Sequence, residues 1–122
     1  MESPFKGKTG VRRIWNAFHY SLEGFAAAYR NEDAFRQEVW LGAALLPVAV
    51  LAPVGLVGKA LMIGSMFLVL IVELVNSAIE AAVDRISLEN HRLAKRAKDI
   101  GSAAVMLSLL NLTVVWVLVL AA

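Results

Sequence analysis

The sequence predicts an all-α membrane protein, with an N-terminal amphipathic surface helix followed by three transmembrane helices in a single domain over residues 1–122. Of the 122 residues, 59% are hydrophobic, which is more than a small soluble core requires. Several apolar runs approach the length of a membrane span. The basic residues gather on one side of those runs, as they do in membrane proteins of fixed orientation.

Three apolar runs predict the spans. Ile100–Ala122 is the longest, and Ala60–Ile79 is apolar apart from two polar residues. Val39–Ala52 contains Pro47 and is shorter than the roughly 20 residues of a spanning helix, so it spans only by extending into its flanks. We therefore place the spans at about residues 34–55, 60–82 and 100–122.

The basic residues predict the orientation. Lys59 alone lies between the first and second spans, and the other eleven of the twelve Lys and Arg residues precede the first span or lie between the second and third. By the positive-inside rule, the N-terminus is cytoplasmic and the C-terminus external.

An amphipathic helix is predicted over residues 11–30, because apolar residues recur there at spacings of three and four. Its aromatic residues and flanking basic residues suit a helix at the cytoplasmic membrane surface. Packing against the bundle is the alternative. The apolar positions are Val11, Ile14, Trp15, Phe18, Leu22, Phe25 and Tyr29.

A polar stripe crosses the second predicted span. Glu73, Asn76, Glu80 and Asp84 fall within roughly 80° of one helix face. Ionisable groups at membrane depth are costly and usually functional. Hydrogen bonding between helices is the structural alternative, above all for Asn76.

Two further polar clusters, at residues 31–38 and 91–99, lie on the same cytoplasmic side and are expected to converge with the stripe. Their carboxylates suit magnesium, and their cations suit phosphate groups. Taken singly, each cluster could be an ordinary solvated cap. The chain has no cysteine, no phosphate-binding P-loop motif and no aromatic-interleaved basic patch, so thiol chemistry, P-loop nucleotide binding and nucleic-acid binding are not predicted.

The segment ELVNSAIEAAVD at Glu73–Asp84 resembles the signature of the bacterial integral-membrane diacylglycerol kinase family. AFRQE at Ala34–Glu38 and RAKDIGSAAV at Arg96–Val105 resemble the same family in the same order. The resemblance covers the chain from about Arg12 onward. Asn90 stands where an aromatic residue is common in the family, and Lys95 where a glycine is also seen.

The resemblance implies a homotrimeric lipid kinase of the bacterial inner membrane, which phosphorylates diacylglycerol with ATP and Mg²⁺ at active sites shared between protomers. It implies that Glu73 is the general base, with Asn76 beside it, and that Glu32 and Glu80 hold the magnesium. The residues it implies for ATP are Arg13, Tyr20, Glu32, Glu80, Glu89, Asn90, His91, Lys98 and Asp99. Those it implies for the lipid substrate are Arg13, Ala34, Phe35, Arg36, Gln37, Glu38, Glu73 and Ser102.

Two alternatives remain at this point. Undecaprenol kinases form a related branch that shares the Glu73–Asp84 pattern, although AFRQE is closer to the diacylglycerol branch. A non-enzymatic multispan protein could use the same stripe to line a pore or to hold an oligomer together.

Overall fold

The computed structural model describes residues 10–86 and 92–122, and in those ranges the secondary structure is entirely helical. The helices are α1 (Gly10–Asn31), α2 (Asp33–Leu51), α3 (Leu56–Ile86) and α4 (Arg92–Ala121). The last three are each long and apolar enough to cross a membrane. The prediction of an all-helical protein with three helices long and apolar enough to span a membrane is thereby confirmed for the described residues. Helix ends are not membrane boundaries, so the span limits of 34–55, 60–82 and 100–122 stay predictions.

α1 has apolar residues along one side, and none of its residues is buried. The side chains of Val11, Ile14 and Trp15 are largely exposed. An apolar face that the chain itself leaves uncovered is available to the membrane surface or to another protein surface, so the position of α1 at the membrane stays a prediction.

A one-residue bend at Glu32 joins α1 to α2. Glu32 has an extended backbone, with φ −120° and ψ 108°. Arg36 Nη1 then donates hydrogen bonds to the carbonyl oxygens of Tyr29 at 2.7 Å and Arg30 at 3.1 Å. Since the last carbonyls of a helix lack partners within it, Arg36 caps α1 from the first turns of α2. An ion pair from Arg36 to Asp33 adds to this junction.

Lys59 closes the short connection between α2 and α3. α2 continues through Pro47 and ends at Leu51. Lys59 Nζ donates to the carbonyl oxygens of Ala49 at 3.3 Å, Val50 at 2.5 Å and Ala52 at 2.8 Å. A cation at a helix C-terminus is favoured by the helix dipole as well as by these hydrogen bonds.

α3 and α4 pack antiparallel along most of their length. Trp116 Nε1 donates to the carbonyl oxygen of Met62 at 3.1 Å, and at the other end Lys98 Nζ lies 2.6 Å from Asp84 Oδ1. Met62 is fully buried with Ala49 and Ala52, in a small core beside the Lys59 cap. The fold therefore has an apolar, capped end and, at the opposite end of α3, a polar one.

Replacing Lys59 by Met should destabilise the protein by about 1–3 kcal/mol, because the carbonyl oxygens at the end of α2 lose their charged donor. The free energy of unfolding, measured by denaturant titration in detergent micelles, checks this expectation. Lys59→Arg is the matched control and should retain most of the stability, since a guanidinium can still donate to those carbonyls. Equal stability of Lys59→Met and the unaltered protein would show that the cap contributes nothing.

Candidate active site

The polar stripe of α3 turns from the bundle interior toward the surface as the helix proceeds. Glu73 is 4% exposed and Asn76 is 7% exposed. Glu80 is half-buried and Asp84 is exposed. Along an α-helix, the seven-residue offset between Glu73 and Glu80 corresponds to a rise of roughly 10 Å. The stripe thus places one carboxyl group deep between helices and another nearer to the polar end.

Glu38 of α2 meets Glu73 inside the bundle. Their carboxyl groups lie within hydrogen-bonding reach of each other. The Oε2 atoms of both residues are buried and have no hydrogen-bond partner in the described part of the chain. These two oxygens leave the buried pair with capacity to accept hydrogen bonds from a polar ligand.

Asn76 and Gly101 set the position of Glu80. Asn76 Nδ2 donates to Glu80 Oε1 at 3.0 Å, one helical turn further along α3. Gly101 of α4 is buried against the other side of the Asn76 amide. A Cβ on Gly101 would come into contact with Asn76 Oδ1 and would lie 3.1 Å from its Cγ. The close approach of the α4 backbone thus holds the amide toward Glu80.

An open cavity of about 670 Å³ lies between the end of α1 and the polar part of α3. We call it the carboxylate cavity, because Glu32, Glu80 and Asp84 line it together with Asn31 and Ser77. Glu32 also lies near enough to Glu73 to act on it electrostatically. The extended backbone at Glu32 brings this residue to α3, so the cluster at residues 31–38 meets the polar stripe as predicted.

The carboxylate cavity fits a magnesium ion that arrives with a phosphate ligand. Glu32, at the junction of α1 and α2, and Glu80 of α3 both line the cavity with hard oxygen donors, and Mg²⁺ is commonly bound by one or two carboxylates together with substrate phosphates and water. Among the residues that the structure describes, no three His, Asp or Glu side chains form a group that could hold a metal on its own. The donor set therefore suits a metal–nucleotide complex better than a free ion.

Lys98 reaches the mouth of this cavity, whereas Asp99 does not. Lys98 Nζ lies 2.6 Å from Asp84 Oδ1. Asp99 instead pairs with Lys95 at 2.8 Å, in a separate cavity with Arg92 and Arg96. Consecutive residues of a helix project about 100° apart. One chain consequently brings only the first of these two predicted nucleotide residues to the carboxylate cavity.

The chain is similar to a known family over nearly its whole length. Residues 19–120 match the family model described as prokaryotic diacylglycerol kinase. A diacylglycerol kinase of Pseudomonas aeruginosa is 58% identical over 118 residues, which cover 97% of this chain and 96% of that protein. The diacylglycerol kinase of Escherichia coli K12 is 48% identical over 92% of each chain, and that of Haemophilus influenzae is 44% identical over 88% of this chain and 92% of its own.

This chain belongs to the prokaryotic diacylglycerol kinase family. The membership agrees with the resemblance of the Glu73–Asp84 segment and with the three apolar helices. The non-enzymatic alternative finds no support in these relatives, which are all named as kinases.

The remaining residues implied by the family signature are spread around the carboxylate cavity or away from it. Arg13, Tyr20, Ala34, Gln37 and Ser102 are exposed. Phe35 is buried, and Arg36 is bound to the end of α1. The segment Glu89, Asn90 and His91 lies outside the described residues. In one chain these residues are therefore not gathered around the carboxylate cavity, in contrast to Glu32, Glu80 and Asp84, which line it.

Two features of the kinase site escape prediction from the sequence. Gly101 was not expected to touch Asn76, although small residues at the start of a membrane helix are a general signal of close helix packing. The buried Ser77 Oγ has no partner among the described residues and faces the same region as the stripe. Nothing in the spacing of the serine distinguishes it from an ordinary interface residue.

Gly101→Ala should destabilise the protein by about 1–3 kcal/mol and displace the Asn76 amide, because the added methyl group enters space already occupied. Gly64→Ala is the matched control, since a Cβ at this α3 glycine meets nothing within 4 Å. That control should be neutral or slightly stabilising, as alanine is the better helix former. Unfolding in detergent measures both, and equal effects of the two substitutions would contradict the tight contact at Asn76.

Proposed function

We propose that the protein is an ATP-dependent diacylglycerol kinase, which converts diacylglycerol into phosphatidic acid at the cytoplasmic face of the bacterial inner membrane. The observation that carries the proposal is the arrangement of Glu73 and Glu80. One carboxyl group is buried at membrane depth, and the other lines an open polar cavity on the same helix. The relatives' names favour diacylglycerol over undecaprenol as the acceptor.

Glu73 is the general base of the proposed reaction. The hydroxyl group of a diacylglycerol lies near the membrane interface, where a carboxylate deeper than Glu80 can receive its proton. As the proton passes to Glu73, the lipid oxygen bonds to the γ-phosphorus, and the bond from that phosphorus to ADP breaks. Glu38, in contact with Glu73, fixes the orientation of the base. General-base catalysis of this kind contributes about 10²- to 10⁴-fold.

The nucleotide is proposed to occupy the carboxylate cavity. Glu32 and Glu80 would hold magnesium there, which when bound neutralises charge on the phosphates and supports phosphoryl transfer. Asn76 holds Glu80 through its 3.0 Å hydrogen bond, and Lys98 adds a cation at the mouth. Phosphoryl transfer depends mainly on positioning and electrostatic stabilisation, so a helical site can perform it without a P-loop.

We further propose that the active protein is a homotrimer with composite active sites. Arg13, Ser102 and Asp99 are implied for substrates by the family resemblance, yet they are exposed on the surface of the chain. A neighbouring protomer could bring such residues to the carboxylate cavity. The largely exposed apolar side chains of α2 and α4 are available for contacts with lipid and with other protomers. In this arrangement the N-terminus is cytoplasmic, α1 lies on the membrane surface and the C-terminus is external.

The Glu73→Gln and Glu80→Gln variants separate the two proposed roles. Glu73→Gln should bind MgATP with near-normal affinity, while turnover falls by about 10²- to 10⁴-fold. Glu80→Gln should weaken MgATP binding and recover partly at high magnesium, because it lacks an anionic oxygen for the metal. Nucleotide binding, turnover and oligomer stability are measured on both. Glu73→Gln with most of the original turnover, or with a loss explained by disassembly, would refute the assignment of the base.

A further inference from the structure

A second cavity, of about 420 Å³, lies beside the first turns of α4. Its lining consists of Arg92, Lys95, Arg96, Asp99, Ile100 and Ala103, and we call it the α4 basic cavity. These residues project from α4 on the side opposite Gly101 and Ser108, the two buried residues of this helix. The cavity therefore opens away from α3 and from the carboxylate cavity.

The charges of the α4 basic cavity do not cancel. Lys95 Nζ lies 2.8 Å from Asp99 Oδ2, so these two residues neutralise each other. Arg92 and Arg96 have no ion-pair partner among the residues that the structure describes. One turn of helix separates them, and both are exposed. Two guanidinium groups at this spacing, each without an ion-pair partner in the described ranges, suit a phosphate group, which their planar donor sets can bind through paired hydrogen bonds.

C-terminal to Arg92 and Arg96, the same side of α4 becomes apolar. Ile100 and Ala103 complete the lining of the cavity. Further along this side, Met106 is 70% exposed and Leu110 is 57% exposed. A soluble phosphate compound would make no favourable contact with these exposed apolar side chains. A phospholipid matches both parts, with its phosphate at the arginines and an acyl chain along the apolar residues.

We propose that the α4 basic cavity binds an anionic phospholipid of the membrane, with its phosphate between Arg92 and Arg96 and an acyl chain against Ala103, Met106 and Leu110. This lipid differs from the proposed substrate, because diacylglycerol has no charge. Cytoplasmic basic clusters beside a membrane helix attract anionic lipids at about 1 kcal/mol per residue. Within one chain, this surface is separate from the carboxylate cavity. It includes Asp99, which the family resemblance implies for the nucleotide, so competition with MgATP distinguishes a lipid site from a nucleotide contact.

The test is a titration of the purified full-length protein in nonionic micelles with headgroup-labelled phosphatidylglycerol. Arg92→Gln/Arg96→Gln should bind this lipid about 30-fold more weakly, which corresponds to about 1 kcal/mol for each arginine. Arg12→Gln/Arg85→Gln removes the same charge from elsewhere on the described chain and should change binding less than threefold. Arg92→Gln alone should weaken binding about fivefold. This single variant replaces the double variant in the test if the double variant does not fold.

The same experiment distinguishes the other occupants. Zwitterionic phosphatidylcholine and soluble glycerol phosphate should not displace the labelled lipid, and MgATP should bind the double variant normally. Equal losses in the two double variants would mean that general charge, and not the α4 basic cavity, governs binding. Displacement by glycerol phosphate or by MgATP would identify the cavity as a soluble-phosphate or nucleotide site and overturn the proposal.

Discussion

The contact between Glu38 and Glu73 is the constraint on which the arrangement of the polar end depends. A carboxyl group within the apolar part of a membrane protein is costly unless it is paired or faces a polar cavity. Here the two groups come from different helices and lie within hydrogen-bonding reach. α2 must therefore be positioned so that Glu38 lies at the same depth in the membrane as Glu73. The bend at Glu32 and the hydrogen bonds from Arg36 to the end of α1 fix the start of α2 in that position.

The opposite end of the bundle holds this geometry in place without taking part in the chemistry. Lys59 caps α2, Trp116 ties α4 to the backbone of α3, and Met62 is buried between them. Because α3 is one continuous helix from Leu56 to Ile86, the capped end and the stripe belong to a single rigid element. Gly101 then lets α4 approach Asn76 closely at the polar end. Positioning of this kind is what phosphoryl transfer chiefly asks of a protein.

Much of this could be predicted from the sequence, because the signals are periodic or compositional. Three apolar helices follow from the hydrophobic runs, and the shared face of Glu73, Asn76 and Glu80 follows from helical spacing. That Glu32 and Glu80 line one cavity could be expected because the sequence places both residues on the same side of the membrane. Two contacts could not be predicted: Gly101 with Asn76, and Lys59 with three carbonyl oxygens. Both depend on how one helix packs against another, and the residue spacing within a single helix carries no information about that. The divergence of Lys98 and Asp99 could have been anticipated from their adjacency alone.

We propose that the buried carboxyl group of Glu73 and the carboxylate cavity, which Glu80 of the same helix lines, serve phosphoryl transfer to a lipid hydroxyl. The most direct measurement supplies γ-labelled MgATP to the purified protein in mixed micelles that contain diacylglycerol and undecaprenol together. We expect label to appear in phosphatidic acid well ahead of undecaprenyl phosphate. Label that stays in the nucleotide, or that enters undecaprenol preferentially, would contradict it.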